Sequence, residues 1–455
     1  MKKYIDVLVA EIGSTTTLVN AFTGIDGDAP VFWAQGQAPT SVLDGDVRIG
    51  LEGAVKDLCK NVGVDEVEWG EMLATSSAAG GLRMTVHGLV YDMTARAAKE
   101  AALGAGAIIH MVTSGVLRPS DVEKIRAIRP NIIMLSGGVD HGERETALAN
   151  GQILKDTGLP VPVIYAGNVD NQADIKALFG DGNGLYIVEN VYPKIDELNV
   201  EPARKVIQAV FEEHIVRAPG MEHVREMVNG SIIPTPGAVM ESTRLLAEVL
   251  GDVLTLDVGG ATTDVHSVTK GSEEIARILV QPEPEAKRTV EGDLGVYVNM
   301  ENVIALAGKE KLEAELGFPL DDVKSTYKFI PKTEDEIRFV EALTREAVLK
   351  AVERHAGRVR YVYGPTGRST LAEGKDLTEV KYIIGTGGAL TRLPGRVKIM
   401  EGIAAGNKTG LMLFPSDRAQ ILVDNDYIMA SLGVLSKNHP DSALKLLKKS
   451  LGKTA

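Results

Sequence analysis

Cysteine is almost absent from this chain. Among its 455 residues, Cys59 is the single cysteine. One thiol can form neither an intrachain disulfide nor a cysteine-based metal site, so disulfide-stapled and zinc-ribbon folds are excluded. Such cysteine usage is typical of the reducing cytosol. We expect Cys59 to be a small core residue in a helix over about 47–61.

Long apolar runs and an excess of basic charge are also missing. The sequence has no stretch of about 20 apolar residues that would cross a membrane. Asp6 and Glu11 interrupt the first apolar run, so a signal peptide is not expected. The net charge is −13, whereas a nucleic-acid-binding surface needs a basic field. We therefore expect a cytoplasmic protein with no nucleic-acid or membrane partner.

The common nucleotide-binding motifs are absent as well. A P-loop requires G-x-x-x-x-G-K-[ST]. The similar string from Gly364 to Thr370 has the wrong spacing and an arginine in place of the lysine, so we interpret it as a turn. No G-x-G-x-x-G follows an early strand, so a Rossmann dinucleotide site is not supported.

One pattern, by contrast, occurs twice. It consists of an apolar run, an acid, a spacer, a glycine, small hydroxyl residues and a second apolar run. The first copy lies around Glu11 and Gly13, and the second around Asp257 and Gly259. The pattern predicts strand, tight turn, strand. Glycine N–H groups and hydroxyls can hold phosphate oxygens, and the acid would face a divalent metal. Taken alone, either copy also fits an ordinary hairpin of a β-rich protein.

A third element favours the phosphate-binding interpretation. The segment Tyr382–Leu390 reads as a buried strand, a glycine turn and a helix. Such a turn can pass under a purine or ribose and direct a helix N-terminus toward phosphates. A similar strand and Gly-Gly turn occurs at Ile132–Val139. The number of residues between Gly13 and this turn is nearly equal to the number between Gly259 and Gly387. Such equal spacing predicts a duplicated α/β unit.

The order of strands and helices predicts an α/β architecture with helices packed on sheets. We expect a first domain over 1–190, a helical crossover or hinge over 191–250, and a second domain over 251–440. An inserted helical subdomain is expected at about 285–350. A basic amphipathic helix is predicted over 441–455, with one packed face or, alternatively, contact with a membrane or partner.

Two acid-turn hairpins followed by a late strand and Gly-Gly turn resemble the actin, Hsp70 and sugar-kinase superfamily of ATPases. The resemblance implies duplicated actin-like (ribonuclease H-like) domains facing across a nucleotide cleft. A narrower resemblance rests on Ser76–Met84, Arg288–Gly295 and Asp424–Val434. These segments are similar to the methylaspartate (glutamate) mutase accessory proteins, which carry the MutL name. Such proteins accompany adenosylcobalamin-dependent mutases and aminomutases.

The superfamily resemblance assigns roles to individual residues. Glu11 takes the place of the usual phosphate-1 aspartate and Asp257 that of the phosphate-2 acid, so both are implied as catalytic groups and Mg²⁺ ligands. Glu189 and Asn190 are candidates for the acid or glutamine of the connecting segment. The implied nucleotide-binding residues are Gly13, Ser14, Thr15, Thr16 and Thr17; Gly259, Gly260, Ala261, Thr262 and Thr263; and Gly385, Gly387, Gly388 and Ala389.

The resemblance also implies a function. We expect a slow Mg²⁺-dependent ATPase that acts as a reactivating chaperone and helps a mutase exchange its inactivated cobalamin. One alternative is a small-molecule kinase of the same fold, with the Ser76–Arg83 loop lining an acceptor pocket. A second alternative is a polymerising actin-like structural protein.

Overall fold

Two units, each with its own hydrophobic core, make up the chain in this computed structural model. Unit 1 comprises Met1–Glu241 and Ala430–Leu446, and unit 2 comprises Ser242–Met429 and Leu447–Ala455. The structure describes residues 2–13, 16–41, 45–77, 82–180, 184–215, 224–230, 232–364 and 367–453.

The first sheet of unit 1 has five strands in the order β10-β4-β1-β2-β3. The first three strands form an antiparallel meander, while β4 runs parallel to β1 and β10 parallel to β4. The strands are β1 Lys2–Ile12, β2 Thr16–Thr23, β3 Val31–Pro39, β4 Glu66–Ser76 and β10 Ile232–Pro234.

Helix α1, Val47–Val62, packs on the meander of this sheet. Asp46 begins the helix by accepting a hydrogen bond from the Arg48 backbone N–H, and Gly63 ends it with a φ of 71°. Gly36 of β3 allows the close approach, because a Cβ there would lie 2.7 Å from the Leu58 Cβ. Cys59 is buried in this helix, which confirms the prediction from the sequence.

The second sheet of unit 1 is entirely parallel, with the order β6-β5-β7-β8-β9. Numbered within the sheet, this is the 2-1-3-4-5 order of flavodoxin-like folds, in which helices connect successive parallel strands. Its strands are β5 Leu82–Gly88, β6 Ala107–Ser114, β7 Ile132–Leu135, β8 Val163–Tyr165 and β9 Leu185–Ile187. Its helices are α2 Arg96–Gly104, α3 Pro119–Ile128, α4 Glu145–Asp156 and α5 Gln172–Phe179.

The middle of the chain is mostly helical, as the sequence predicts. Helix α6, Glu201–Ile215, buries Ala203, Ile207 and Phe211 in the core of unit 1. Further helices are α7 Val224–Met227 and α8 Thr235–Leu250. The domain boundaries given above stay predictions.

Unit 2 contains one five-stranded sheet in the order β13-β12-β11-β16-β17, and a separate two-stranded hairpin. The sheet strands are β11 Val253–Val258, β12 Thr263–Val268, β13 Ala286–Glu291, β16 Tyr382–Thr386 and β17 Gln420–Val423. The hairpin strands are β14 Arg358–Gly364 and β15 Gly367–Glu373. The helices are α9 Glu273–Ala276, α10 Met300–Ala307, α11 Lys309–Leu316, α12 Leu320–Thr326, α13 Glu334–His355, α14 Gly387–Arg392 and α15 Arg396–Glu401.

Two helices complete the chain, α16 Met429–Leu435 and α17 Pro440–Ser450. In α17, Ala443, Leu446 and Leu447 are buried, so the basic amphipathic helix predicted from the sequence has a packed apolar face. None of the helices in the described part of the chain has the length and apolar composition that a membrane span requires.

The two five-stranded sheets repeat one topology, which confirms the predicted duplicated α/β fold. In each sheet an antiparallel meander is followed by two parallel strands, in the order 3-2-1-4-5. The pairing of segments predicted from equal spacing, however, is wrong. The counterpart of β16 is β4, because each runs parallel beside the first strand of its sheet. The Gly137–Gly138 turn follows β7, which belongs to the inserted parallel sheet.

We predict that lowering the pH from 7 to 5 destabilises unit 1 through His87. This side chain is buried between Thr85 and Thr113, and burial lowers its pKa from 6.5 to about 4. Below pH 6.5 the unfolded chain therefore takes up a proton that the folded chain excludes. The free energy of unfolding should fall by up to about 1.4 kcal/mol per pH unit as pH approaches 4.

Urea unfolding followed by tryptophan fluorescence tests this expectation, because Trp33 and Trp69 both lie in unit 1. His87→Gln keeps a hydrogen-bonding side chain but cannot titrate in this range. Its stability should fall less than that of the wild type between pH 7 and pH 5. Equal losses in the two proteins would contradict the prediction.

Candidate nucleotide site

The two acid-turn hairpins have matching geometry. In the first, the Gly13 N–H donates to the Thr16 carbonyl at 3.0 Å, and in the second the Gly259 N–H donates to the Thr262 carbonyl at 3.0 Å. The acids also hold the same register position in the two hairpins. Glu11 is paired with Leu18 on the second strand, and Asp257 is paired with Asp264. Both segments therefore form the two predicted antiparallel strands, and in each a glycine N–H is bonded to a threonine carbonyl where the second strand begins. Ser14 and Thr15 lie outside the described residues.

The first hairpin is fixed by hydroxyl groups. Thr40 Oγ1 donates to the Gly13 carbonyl at 2.9 Å and lies 3.0 Å from Thr17 Oγ1. A Cβ at Gly13 would lie 2.7 Å from the Thr16 carbonyl oxygen, so the turn leaves no room for a side chain at this position. Thr17 is fully buried, and its hydroxyl is therefore part of the support of this turn.

Glu11 is buried and strongly hydrogen-bonded within unit 1. Its Oε1 accepts from the Ser431 backbone N–H at 3.0 Å, from Ser431 Oγ at 2.5 Å and from Asn20 Nδ2 at 3.2 Å. Hydrogen bonds of this kind stabilise the ionised carboxylate. The Glu11 carboxylate thus ties the end of β1 to α16.

The second hairpin is held from one side by the segment that follows β13. Backbone N–H groups of Val296 and Tyr297 donate to the carbonyls of Gly259 and Gly260, at 3.2 and 2.9 Å. Asn299 Nδ2 donates to the Ala261 carbonyl at 2.7 Å. Gly260 and Ala261 are themselves accessible to solvent. The carbonyl side of this turn is therefore anchored, while its residues stay open to solvent.

A buried ion pair lies beside Asp257. Directly opposite on β12 is Asp264, whose Oδ1 accepts from Arg288 Nη2 at 2.6 Å and from Arg288 Nε at 3.1 Å. Thr262 Oγ1 donates to the other Asp264 oxygen at 3.1 Å. Like charges on directly opposite strand positions destabilise a sheet. The positive charge of Arg288 compensates the negative charge of Asp264. Asp257, unlike Glu11, is only half-buried.

The glycine turn after β16 directly contacts Asp257. Gly387 has a φ of 79°, and a Cβ there would overlap Asp257 Oδ1 and lie 2.6 Å from the Val258 backbone nitrogen. Gly388, the next residue, is exposed, and no heavy atom lies within 4 Å of the position that a Cβ would take there. The predicted strand, turn and helix thus place an open glycine next to the second acid.

The remaining residues of this turn are buried. A Cβ on Gly385 would lie 2.8 Å from the Met400 sulfur, so this glycine permits core packing. Ala389 is buried in the core of unit 2. Thr386 Oγ1 donates to Asp424 Oδ2 at 2.9 Å, and Asp424 in turn accepts from the Met429 N–H. The Asp424–Val434 segment singled out in the sequence therefore supports the turn.

Glu189 and Asn190, the candidates for the connecting segment, follow β9 of the parallel sheet. Asn190 Nδ2 donates to the Gly138 carbonyl at 3.1 Å and to Asp140 Oδ1 at 3.0 Å, so this buried amide holds a loop in place. Glu189 is exposed and accepts from Asn199 Nδ2 at 3.0 Å.

The Ser76–Arg83 loop is described only at its two ends. Ser76 ends β4 beside Ile12, and Arg83 lies on β5. The Arg83 backbone N–H donates to Asn131 Oδ1 at 2.9 Å. In the described part of the chain, the Arg83 Nε is buried without a hydrogen-bond partner.

Sequence reasoning missed three residues that lie near the two acids, one in unit 1 and two in unit 2. Ser431 lies 420 positions from Glu11 and carries no local signal of that contact. Asp264 and Arg288 stand inside segments that the sequence marks for other reasons. Asp264 falls on a strand that is buried at every position, so its carboxylate needs a buried partner. Among the described residues there is no group of three His, Cys, Asp or Glu side chains that would hold a metal by themselves.

We predict opposite effects of alanine at the two neighbouring glycines. Gly387→Ala forces a left-handed φ on a side chain that overlaps Asp257, so it should lower the stability of unit 2 by about 1–3 kcal/mol. Gly388→Ala places a methyl group in open space on a helix, so stability should be unchanged or rise by up to about 1 kcal/mol. Thermal unfolding followed by circular dichroism measures both. Equal effects of the two substitutions would contradict the prediction.

Comparison with solved structures gives distant similarities. The chain is similar to nucleotide-free acetone carboxylase, with 12% identity, a TM-score of 0.42, and coverage of 95% of this chain and 70% of that one. It is also similar to the nucleotide-free diol dehydratase-reactivating factor, with 9% identity, a TM-score of 0.37, and coverage of 96% of this chain and 100% of that one.

Sequence comparison gives a much stronger result. The family model described as MutL protein matches residues 7–451. Protein MutL of Clostridium tetanomorphum is 37% identical over 462 residues, which covers 98% of this chain and 99% of that protein. A match of this length and identity shows that the chain belongs to the MutL protein family.

Proposed function

We propose that this chain is an ATP-dependent reactivating chaperone of an adenosylcobalamin-dependent mutase or aminomutase. The observation that carries the nucleotide part is the contact of Gly387 with Asp257, which places the open Gly388 beside the second acid-turn hairpin. The mutase part rests on membership of the MutL family and on the resemblance of that family to mutase accessory proteins.

ATP fits the chemistry of unit 2. Gly260 and Ala261 are exposed, so their backbone N–H groups can approach phosphate oxygens. The carbonyls of this turn are bound by the segment over 296–299, which holds the turn in place. Gly388 leaves space for a ribose or purine to approach the backbone. The phosphate-1 hairpin around Gly13 is predicted to contribute further phosphate contacts.

Mg²⁺ fits the carboxylate of Asp257 in unit 2. Magnesium in nucleotide sites is commonly held by one or two carboxylates together with waters and substrate phosphates, so no cluster of protein ligands is required. Asp257 supplies a half-buried carboxylate. Since Glu11 Oε1 already accepts three hydrogen bonds, we propose that Glu11 acts through a metal-bound water. When bound, the ion neutralises charge on the phosphates.

The proposed hydrolysis depends mainly on positioning. Asp257 accepts a hydrogen bond from the attacking water and directs it toward the γ-phosphorus, and the backbone of 259–262 holds the phosphate oxygens. Arg288 neutralises the neighbouring Asp264, so that the second carboxylate does not oppose the ionised form of Asp257. The products are ADP and inorganic phosphate.

The chaperone action requires that the ATP-bound and ADP-bound forms of this chain bind the mutase with different affinities. A binding protein shifts the conformation of its partner only as far as it binds one conformation more tightly than the other. We propose that one nucleotide state holds the mutase and opens it, so that damaged cobalamin leaves and intact adenosylcobalamin enters.

The nucleotide proposal predicts distinct effects of two substitutions. Gly388→Ala should weaken ATP binding at least tenfold without lowering stability, because its methyl group occupies the proposed ligand space. Asp257→Asn should leave binding nearly unchanged and reduce turnover by about 100-fold, because the attacking water loses its carboxylate partner. Calorimetry in magnesium buffer and phosphate release measure these quantities. Wild-type protein that binds no ATP would refute the nucleotide proposal.

The chaperone proposal predicts recovery of a poisoned mutase. Mutase inactivated with hydroxocobalamin should regain activity when mixed with this protein, ATP, Mg²⁺ and free adenosylcobalamin. Recovery should fail with Asp257→Asn or with a non-hydrolysable ATP analogue.

Three other outcomes would replace the proposal. Equal recovery in all samples would indicate a passive chaperone. Transfer of the γ-phosphoryl to a small acceptor, without recovery, would indicate a kinase. Light scattering that rises with ATP and protein concentration would indicate a polymerising protein.

A further inference from the structure

The hairpin β14–β15 of unit 2 is anchored at its base. There, the Val359 N–H donates to the Leu411 carbonyl at 2.7 Å, and the Ala372 N–H donates to the Ile278 carbonyl at 2.8 Å. Ala372 is fully buried, whereas most of residues 360–363 and 367–369 are exposed, on both faces of the ribbon. The outer half of the hairpin therefore projects from the body of unit 2.

This projecting half presents large apolar side chains to solvent. Tyr361, Val362 and Tyr363 are consecutive, and Tyr363 is 77% exposed. A two-stranded ribbon alone is marginally stable, and exposed aromatic side chains do not stabilise it by burial. Clusters of exposed tyrosine on a rigid element are typical of protein interfaces, where they supply contact area at a small entropy cost.

One face of the hairpin combines both tyrosines with an arginine. Tyr361 and Tyr363 alternate on one side of β14, and Arg368 lies opposite Tyr363 on β15. The Arg368 guanidinium stacks 4.5 Å from the centre of the Tyr361 ring. Stacking orders this side chain while its N–H donors stay available. Tyrosine and arginine are also among the residues most enriched at positions that dominate binding energies.

The charge of the hairpin is opposite to that of the chain. Its residues 358–373 include three arginines, Arg358, Arg360 and Arg368, and one carboxylate, Glu373, which binds Arg360 at 2.5 Å. The whole chain carries a net charge of −13. A basic aromatic element on an acidic protein is complementary to an acidic surface of a different protein. On the face that carries the tyrosines, Arg368 can bind a carboxylate in bidentate fashion.

We propose that the Tyr361–Tyr363–Arg368 face is a docking surface for an acidic patch of the mutase. This inference rests on the proposed function, since it identifies how the same partner is held. The tyrosine rings cover apolar surface of the partner, and Arg368 pairs with a carboxylate at its centre. The hairpin holds the mutase and takes no part in ATP hydrolysis.

The test is binding of purified mutase to full-length protein, measured by surface plasmon resonance at two salt concentrations. Tyr361→Ser combined with Tyr363→Ser should weaken binding at least tenfold. Arg368→Glu should do the same and reduce the salt dependence, while Arg368→Lys should have a smaller effect. All variants should hydrolyse ATP at the wild-type rate, since the hairpin is separate from the nucleotide site.

Matched controls lie elsewhere on the surface. Tyr4→Ser removes a tyrosine that is 60% exposed on β1, and Arg418→Glu reverses an exposed arginine of unit 2. Both should bind like the wild type. A loss shared equally by the controls and the hairpin variants would overturn the assignment.

Failure of the docking surface can be told apart from failure of the proposed function. If the wild-type protein neither binds nor reactivates the mutase, the proposed function fails. If the wild type binds and the hairpin variants bind equally well, only the docking surface is refuted. Concentration-dependent dimerisation of the wild type that the hairpin variants abolish, with mutase binding unchanged, would assign the hairpin to a second copy of this chain and would also overturn the proposal.

Discussion

In each sheet of the repeat, a hydrogen bond from a glycine N–H to a threonine carbonyl closes the first hairpin and fixes where its acid stands. It links Gly13 to Thr16 in unit 1 and Gly259 to Thr262 in unit 2, at 3.0 Å in both. The bond closes a turn short enough to keep the acid of the first strand at the end of the sheet. A turn slipped by one residue would move every side chain of the second strand to the opposite face. The position of the acid is therefore inseparable from the register of the meander.

The acid beside this turn has different surroundings in the two units. Glu11 is buried, and its Oε1 receives three hydrogen bonds. Asp257 is half-buried and stands opposite a second carboxylate that Arg288 balances. The Glu11 carboxylate thus links elements of unit 1, whereas the Asp257 carboxylate stays partly accessible to solvent.

The sequence was sufficient for those features that local pattern determines. Glycines and hydroxyls after an apolar run specify a hairpin, and Gly387 after a buried strand specifies a helix start, so both were predictable. The surroundings of the two acids were not predictable. Ser431 reaches Glu11 through the order of elements along the chain. Arg288 reaches Asp264, the residue opposite Asp257, through the order of strands in the sheet. The order of strands in the sheets also explains why the Gly137 turn is not the counterpart of the Gly387 turn. Equal spacing along the chain does not identify equivalent strands.

The two Gly-Gly turns show how surroundings decide what one dipeptide does. In Gly137–Gly138 the backbone is occupied by the protein itself: the Asn168 N–H donates to the Gly137 carbonyl at 3.0 Å, and Asn190 Nδ2 donates to the Gly138 carbonyl. A Cβ on the neighbouring Gly167 would lie 2.8 Å from the Gly137 nitrogen, so these glycines allow two loops to pack together. The turn at Gly388, by contrast, has open space where a Cβ would stand. The same dipeptide thus permits close backbone packing after β7, whereas after β16 the space beside its second glycine is left unfilled by the described residues.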